Sequence, residues 1–474
     1  MIIDDLSQIK NINFFAVIIG SGPAGLTTAL ELEKKKIFSI VIEAGSKEYD
    51  SNNLKFLEGK TIGDSYNDIS KTRLRQFGGT SGHWAGYCNP FQDQDFNYWP
   101  IKKIDLDPFL FQAKEILSLE NNFFYEKFSQ NLNLFNVIYS SNPRLGDRFY
   151  SHIKKSKYIY LSLNTIFLNF NGKNGKVDSI NCFKKNYHKI SAKFYILSCG
   201  GIENSRLLLW SQYKNPELFN LKLPIGNYYM DHPYHAIADG LITYNNLMNY
   251  CHKNKVINKP VLSCFNQMRL TSNFNFLKNK NILNSGMYIL FHESKIDNHF
   301  LQQLICAAPK YIKTLYDTKT LRNTYQISVF LIQEQEALFN NKIKLGKNLD
   351  PLNVPLCEIH WQKSKLLRKS AKIMSVEFAN LLINNDIGRL AINEYLFNNE
   401  EEYHTIVGNH QLGGTRMGKN NQDSVVDKDL KVHGFENLFV NGSSVFPSGG
   451  YQHPTLTIVQ LAMRLSKHIL TKKV

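Results

Sequence analysis

His410 and His453 are the side chains of this sequence best placed to do chemistry. Each lies in a stretch unusually rich in glycine: His410-Gln411-Leu412-Gly413-Gly414-Thr415-Arg416-Met417-Gly418, and Ser448-Gly449-Gly450-Tyr451-Gln452-His453-Pro454-Thr455. Imidazole titrates near neutral pH and is the side chain most often used to take a proton from a reacting group. Two imidazoles sharing one site disfavour double protonation, which keeps one of them available as a base. A lone histidine is ordinarily a hydrogen-bonded core or surface residue, so the catalytic reading depends on the context of the pair. Arg416, in the same block, is open between a substrate anchor and a structural ion pair.

That context begins at the opposite end of the chain. Phe14 to Ile19 is a continuous apolar run, the pattern of a parallel strand buried on both faces. It runs into Gly20-Ser21-Gly22-Pro23-Ala24-Gly25, which predicts a helix through about Lys35. A second apolar run, Ile37 to Ile42, ends in Glu43. Gly20 permits the tight turn, Gly22 lets backbone amides approach a pyrophosphate, and Gly25 lets helix and strand pack closely. The helix N-terminus attracts phosphate charge, and Glu43 is placed to accept hydrogen bonds from an adenosine ribose. A structural turn alone would not need the terminal acid, so the unit reads as a dinucleotide site. Its position, with much of the chain left to bury a flavin, leans toward FAD over NAD.

Further along, Arg75-Gln76-Phe77-Gly78-Gly79-Thr80-Ser81-Gly82-His83-Trp84 forms a loop able to lie flat against a planar ring. Phe194 to Gly201 reads as another buried strand, followed by a helix from Ile202. Tyr158 to Phe170 and Val177 to Phe183 read as antiparallel strands around an Asn171-Gly172 turn. The 474-residue length suggests two domains, perhaps interleaved, and the hydrophobic content of 43% is that of a globular protein. The net charge of +16 comes from lysines spread along the chain, with no basic stretch interleaved with aromatics, so nucleic-acid binding is not expected. No apolar run approaches the roughly 18–20 residues of a transmembrane helix. The acidic start, Met1-Ile2-Ile3-Asp4-Asp5, has no leader pattern, and a cytoplasmic location is expected. The seven cysteines (88, 182, 199, 251, 264, 306, 357) include no Cys-x-x-Cys pair, which argues against a zinc site or disulfide framework and leaves them reduced and mostly buried.

Taken together, these segments resemble the glucose–methanol–choline (GMC) oxidoreductases. The resemblance rests on Gly-Ser-Gly-Pro-Ala-Gly at 20–25, Gly-Gly-Thr-Ser-Gly-His-Trp at 78–84, Gly-Gly-Ile-Glu-Asn-Ser-Arg at 200–206 and Met-Asp-His-Pro at 230–233. It also rests on the block from His410 to about Leu465, including Leu438-Phe439-Val440-Asn441-Gly442-Ser443. Residues 236–404 match weakly, at Glu334-Gln335 and Asp350-Pro351-Leu352-Asn353-Val354-Pro355 only.

The resemblance implies an α/β fold: a Rossmann-like FAD-binding domain (12–100, 155–235 and 405–474) with an inserted α+β, mixed-sheet substrate domain (101–154 and 236–404). It implies FAD-dependent oxidation of a CH–OH group of an alcohol or carbohydrate, with an unidentified electron acceptor. His410 takes the role of base, and His453 hydrogen-bonds the same hydroxyl. FAD contacts fall on Gly20, Gly22, Pro23, Ala24, Gly25, Glu43, Gly79, Thr80, His83 and Trp84, with Asn441, Gly442 and Ser443 at the phosphates. Pro454 and Thr455 open a helix whose positive end faces the flavin. The Ser81-Gly82-His83-Trp84 pattern leaves open whether His83 carries FAD covalently or merely packs beside it. His232 is expected to be structural. Two other functions stay open: a non-redox flavin lyase of the same fold, and a vestigial nucleotide-binding module, against which the intact histidine pair argues.

Overall fold

The computed structural model describes residues 1–258, 267–292, 324–398, 403 and 405–472. At its centre the apolar runs of the sequence form a five-stranded parallel sheet, in the order Leu438–Val440, Ala192–Leu197, Phe14–Ile19, Ser39–Ile42, Ile159–Ser162. These strands are buried on both faces, which is why they lack the alternation of a half-exposed strand. Helix Pro23–Glu33 packs against the last helix, Thr455–Leu470, so helices from near the two ends of the sequence share one layer. Among the described residues no helix is long and apolar enough to cross a membrane.

An eight-stranded sheet stands beside this unit, ordered Gly388–Ile392, Pro233–Thr243, Thr324–Gln333, Ser285–His292, Gln267–Ser272, Leu132–Phe135, Tyr125–Lys127, with Ile406–Val407 also pairing Pro233–Thr243. Every described pairing in it is antiparallel. The mixed pairing expected from the sequence appears instead in a small sheet, where Pro355–Trp361 pairs antiparallel with Lys342–Leu349 and parallel with Gly59–Gly63. The large sheet has its own apolar core, closed by helix Lys365–Asn384. The combination of a parallel sheet with antiparallel ones is the α/β fold class the sequence implies.

Three details depart from expectation. Tyr158 to Phe170 is two elements: Ile159–Ser162 joins the parallel sheet, and Ile166–Lys173 pairs with Lys176–Lys184. The hairpin turns at Asn174-Gly175 rather than Asn171-Gly172. Both dipeptides are Asn-Gly, but only Asn174 (φ 52°) and Gly175 (φ 75°) supply the consecutive positive φ angles such a turn needs. Within 101–154, Leu132–Phe135 joins the large sheet, whereas helix Leu145–Lys155 packs beside Gly79–Gly82 and Ile159–Ser162. Part of 236–404 lies outside the described residues, as do Cys264 and Cys306; no disulfide joins any two of the five described cysteines, and Cys199 alone among them is not fully buried.

Candidate active site

A cavity of about 710 Å³ lies between the parallel sheet and the large antiparallel one, and both ends of the chain line it. Gly20, Gly22, Pro23, Ala24 and Glu43 stand on its wall with Gly79, Thr80, His83 and Trp84. Gly442, Ser443, His410, His453, Pro454 and Thr455 complete that wall, while Tyr234 and Ile332 of the large sheet face them.

Two residues expected at the cofactor are elsewhere. Gly25 is beneath the wall: a Cβ there would sit 2.0 Å from the Gly20 carbonyl oxygen, so its role is the close packing of helix on strand. Asn441 is fully buried, and its backbone and both side-chain polar atoms are bonded within the protein. Its amide donates to Leu197 (2.8 Å), its side-chain oxygen accepts from Gly442 (2.9 Å), its side-chain nitrogen donates to Thr28 (3.3 Å), and its carbonyl accepts from Asn204 (3.1 Å). Arg416 is not an anchor in the cavity either. Its guanidinium stacks 3.5 Å from the Tyr228 ring centroid and donates to the Asp423 carbonyl at 2.6 Å.

The histidines form a chain of three. His410 and His453 have ring centroids 4.9 Å apart at 76°. His232 is the third: its Nδ1 lies 2.9 Å from Nδ1 of His410, and its Nε2 lies 3.3 Å from the Gly449 carbonyl oxygen. A carbonyl only accepts, which assigns the proton of neutral His232 to Nε2 and leaves Nδ1 as acceptor. His410 must then donate through Nδ1–H, so its own Nε2 keeps a free lone pair. Burial pushes His410 down to about 4, and burial with the neighbouring rings holds His232 and His453 well below the usual histidine range. All three are neutral at pH 7.

Asp231 sets this chain in place. Its Oδ1 accepts the amides of both His232 (2.7 Å) and His410 (2.8 Å), and its Oδ2 accepts the Tyr66 hydroxyl at 2.6 Å. The sequence places His232 beside Asp231 and Pro233 at a junction between domains, where a structural role is expected; the structure adds its contact with His410, 178 residues away in the chain. The adjacent Asp231-His232-Pro233 motif was the available signal.

The far end of the cavity carries a different chemistry. Arg73 and Arg206 both bond Glu203, at 2.6 and 2.9 Å, and Arg206 also reaches Asp350. Arg75, which sequence reasoning left without a role, lines the cavity with its guanidinium stacked 3.7 Å over Phe56. Its buried Nε and Nη2 have no hydrogen-bond partner among the described residues. A buried cation with orphaned donors is costly unless an anion completes it. Glu43 accepts Ser21 N (3.0 Å), Ser21 Oγ (2.6 Å) and Gly45 N (2.8 Å), leaving about one lone-pair direction of a carboxylate's four for a ligand hydroxyl. A Cβ at Gly22 or Gly200 would meet nothing within 4 Å, so both glycines border open space. Orphaned guanidinium donors, an acid with spare acceptor capacity and a glycine-bordered cradle at a helix N-terminus fit a dinucleotide.

Residues 339–462 match the family model described as GMC oxidoreductase. Over that C-terminal stretch the chain is similar to the GMC oxidoreductases. The chain is 24% identical to the fructose dehydrogenase large subunit of Gluconobacter japonicus, over 60% of the chain and 48% of that protein. It thus spans about half the length of the curated relatives it matches, apart from a short match to a pyranose 2-oxidase. Its fold resembles pyridoxine 4-oxidase from Mesorbium loti, with a TM-score of 0.56, 14% identity, and 96% and 99% of the two chains covered. An Aspergillus oryzae RIB40 formate oxidase variant, studied for FAD modification, gives a TM-score of 0.57 at 15% identity over 97% and 98%. At such identities the likeness is one of fold.

Proposed function

We propose that this chain oxidises the CH–OH group of a small alcohol or carbohydrate with FAD, His410 acting as the proton acceptor. The observation that carries the reading is the hydrogen-bond chain Gly449 carbonyl–His232–His410, which leaves the His410 Nε2 lone pair free on a residue that lines the cavity. Bound FAD supplies the hydride acceptor. The residues that hold it are Gly20 to Ala24, Glu43, Gly79, Thr80, Trp84, Gly442 and Ser443, with Arg75 at its anionic part. Thr455 presents the free amides of a helix N-terminus to the same cavity.

His410 Nε2 takes the hydroxyl proton as the carbon gives up its hydride. His453, across the ring-to-ring contact, orients that hydroxyl. His232 accepts from His410 Nδ1–H and stabilises the charge that appears on His410 when Nε2 is protonated, the role of a group that fixes a base's tautomer.

Anaerobic titration with sugars and polyols, followed by admission of air, tests this reading and separates oxygen from another electron acceptor. Bleaching of the flavin by an alcohol is the expected result; no bleaching by any alcohol would favour a non-redox flavin protein. The acid limb of kcat/KM, which reports the free enzyme, is expected below the ordinary histidine value of 6.5, because burial holds His410 down to about 4. An inflection at or above 6.5 would remove His410 from the role.

His83 lies exposed on the cavity wall, its pKa lowered by partial burial and by Arg144. A neutral imidazole there suits covalent attachment of the flavin. Acid precipitation is expected to leave yellow colour in the pellet, and in the supernatant for His83→Ala. Colour wholly in the supernatant of the unaltered protein would show that His83 only packs beside the ring.

A further inference from the structure

The loop that delivers His453 is held by groups that the chemistry above does not use. Asp95 and Glu334 bracket Asn284: its side-chain nitrogen donates to Asp95 Oδ1 at 2.8 Å, and its amide to Glu334 Oε2 at 3.3 Å. The Glu334 amide donates back to the Asn284 carbonyl at 2.8 Å, and Gln92 N donates to Asp95 Oδ2 at 2.8 Å. Both acids also meet the histidine loop. The Gly450 amide lies close enough to the Glu334 carboxyl to favour its charged form. A Cβ on Gly450, whose φ is +54°, would lie 2.8 Å from Asp95 Oδ1. Ser448 Oγ donates to the Asp95 carbonyl at 2.9 Å and accepts from Trp99 Nε1 at 2.9 Å. Tyr451 is buried against Phe135, with ring centroids 5.4 Å apart.

We propose that Asp95 and Glu334 form a carboxyl clasp, bridged by Asn284 and closed on Gly450, that positions His453 over the cavity. They are positioning residues: neither lines the cavity, and both act through the backbone of Ser448–Gln452. The assignment of a task to His453 rests on the function proposed above; the clasp itself rests on the contacts just given.

The clasp holds a proton near neutrality. Burial pushes Asp95 up to about 6, and burial with the Asp95 charge pushes Glu334 up to about 7. The other groups facing the pair are acidic or neutral: Asp93 and Tyr451 near Asp95, Glu336 near Glu334, and Tyr125 beside both Asp95 and Tyr451. No described cation is among them. Two carboxyls sharing one site titrate as a unit, and the second ionisation sets like charges against each other. The bonds donated to the two carboxyls strengthen on ionisation, but burial and like charge outweigh them and leave both groups raised, so increasing pH through this range loosens the clasp.

Hydrogen exchange of the holoenzyme over Ser448–His453 tests this without turnover. After correction for intrinsic rates, exchange in the unaltered protein should be faster at pH 8 than at pH 6. Glu334→Gln, which cannot ionise, should stay protected at both. Glu334→Leu should exchange faster at both and lower the rate of flavin reduction about tenfold, with KM little changed. Equal protection at pH 6 and 8 in the unaltered protein, or unaltered-protein exchange in Glu334→Leu, would overturn the clasp. Should Glu334→Leu not fold, the comparison with Glu334→Gln decides. Exchange behaving as described while no alcohol bleaches any variant would leave the clasp standing and remove the alcohol oxidation.

Discussion

His410→Ala should lower turnover roughly 10²–10⁴-fold, the range contributed by a positioned general base, while flavin content stays at one per chain. The effect is large because no other group replaces it. His453 and His232 are neutral at pH 7, but His232 Nε2 faces the Gly449 carbonyl and its Nδ1 faces His410, so neither nitrogen points free into the cavity. His453 is 4.9 Å away ring to ring, and burial beside the other two rings holds it well below the usual histidine range. Flavin content is unaffected because His410 is held by Asp231 and His232 on the protein side. Steady-state rates with absorbance of bound flavin measure both quantities together. Turnover within a few-fold of the unaltered enzyme would exclude His410 as the base.

The second large effect is expected from Gly25→Ala. In an isolated helix the exchange should stabilise by about 0.8–1 kcal/mol, the propensity difference between the two residues. Here the new Cβ would lie 2.0 Å from the Gly20 carbonyl oxygen and 3.2 Å from the Ile18 side chain. The first contact is with backbone, so no rotamer change relieves it. Overpacking of this kind costs about 1–3 kcal/mol. It outweighs the propensity gain and moves the turn that borders the cavity. The protein should be isolated with substoichiometric flavin and a melting temperature lowered by several degrees. A variant with full flavin and unchanged melting would show that the turn does not depend on this close approach.

The parts of the fold legible in the sequence were those where burial leaves a local mark. Phe14–Ile19 and the run from Phe194 read as buried strands because parallel strands are covered on both faces. The helix at Thr455 was announced by Pro454, whose ring suits the entry to a helix. The order of strands in the large sheet was not legible: pairings such as Pro233–Thr243 with Thr324–Gln333 join segments far apart in the chain, and neither length nor turn chemistry fixes such partners. The same distance hid the third histidine. Asn441 was misplaced because a strand-end asparagine beside glycine suits either a ligand contact or an internal staple, and only its four satisfied groups decide between them. Arg75 was visible as a residue but not as an orphaned cation, since that property belongs to its surroundings.

The proposed oxidation requires the two ends of the chain to meet at one alcohol carbon. Rapid-mixing absorbance, following anaerobic bleaching of the flavin by a reactive alcohol and by the same alcohol deuterated at its carbinol carbon, measures that meeting. The predicted result is several-fold slower bleaching with the deuterated alcohol, with both rates collapsing in His410→Ala. Bleaching that is indifferent to deuterium at that carbon and to the loss of His410 would contradict the account.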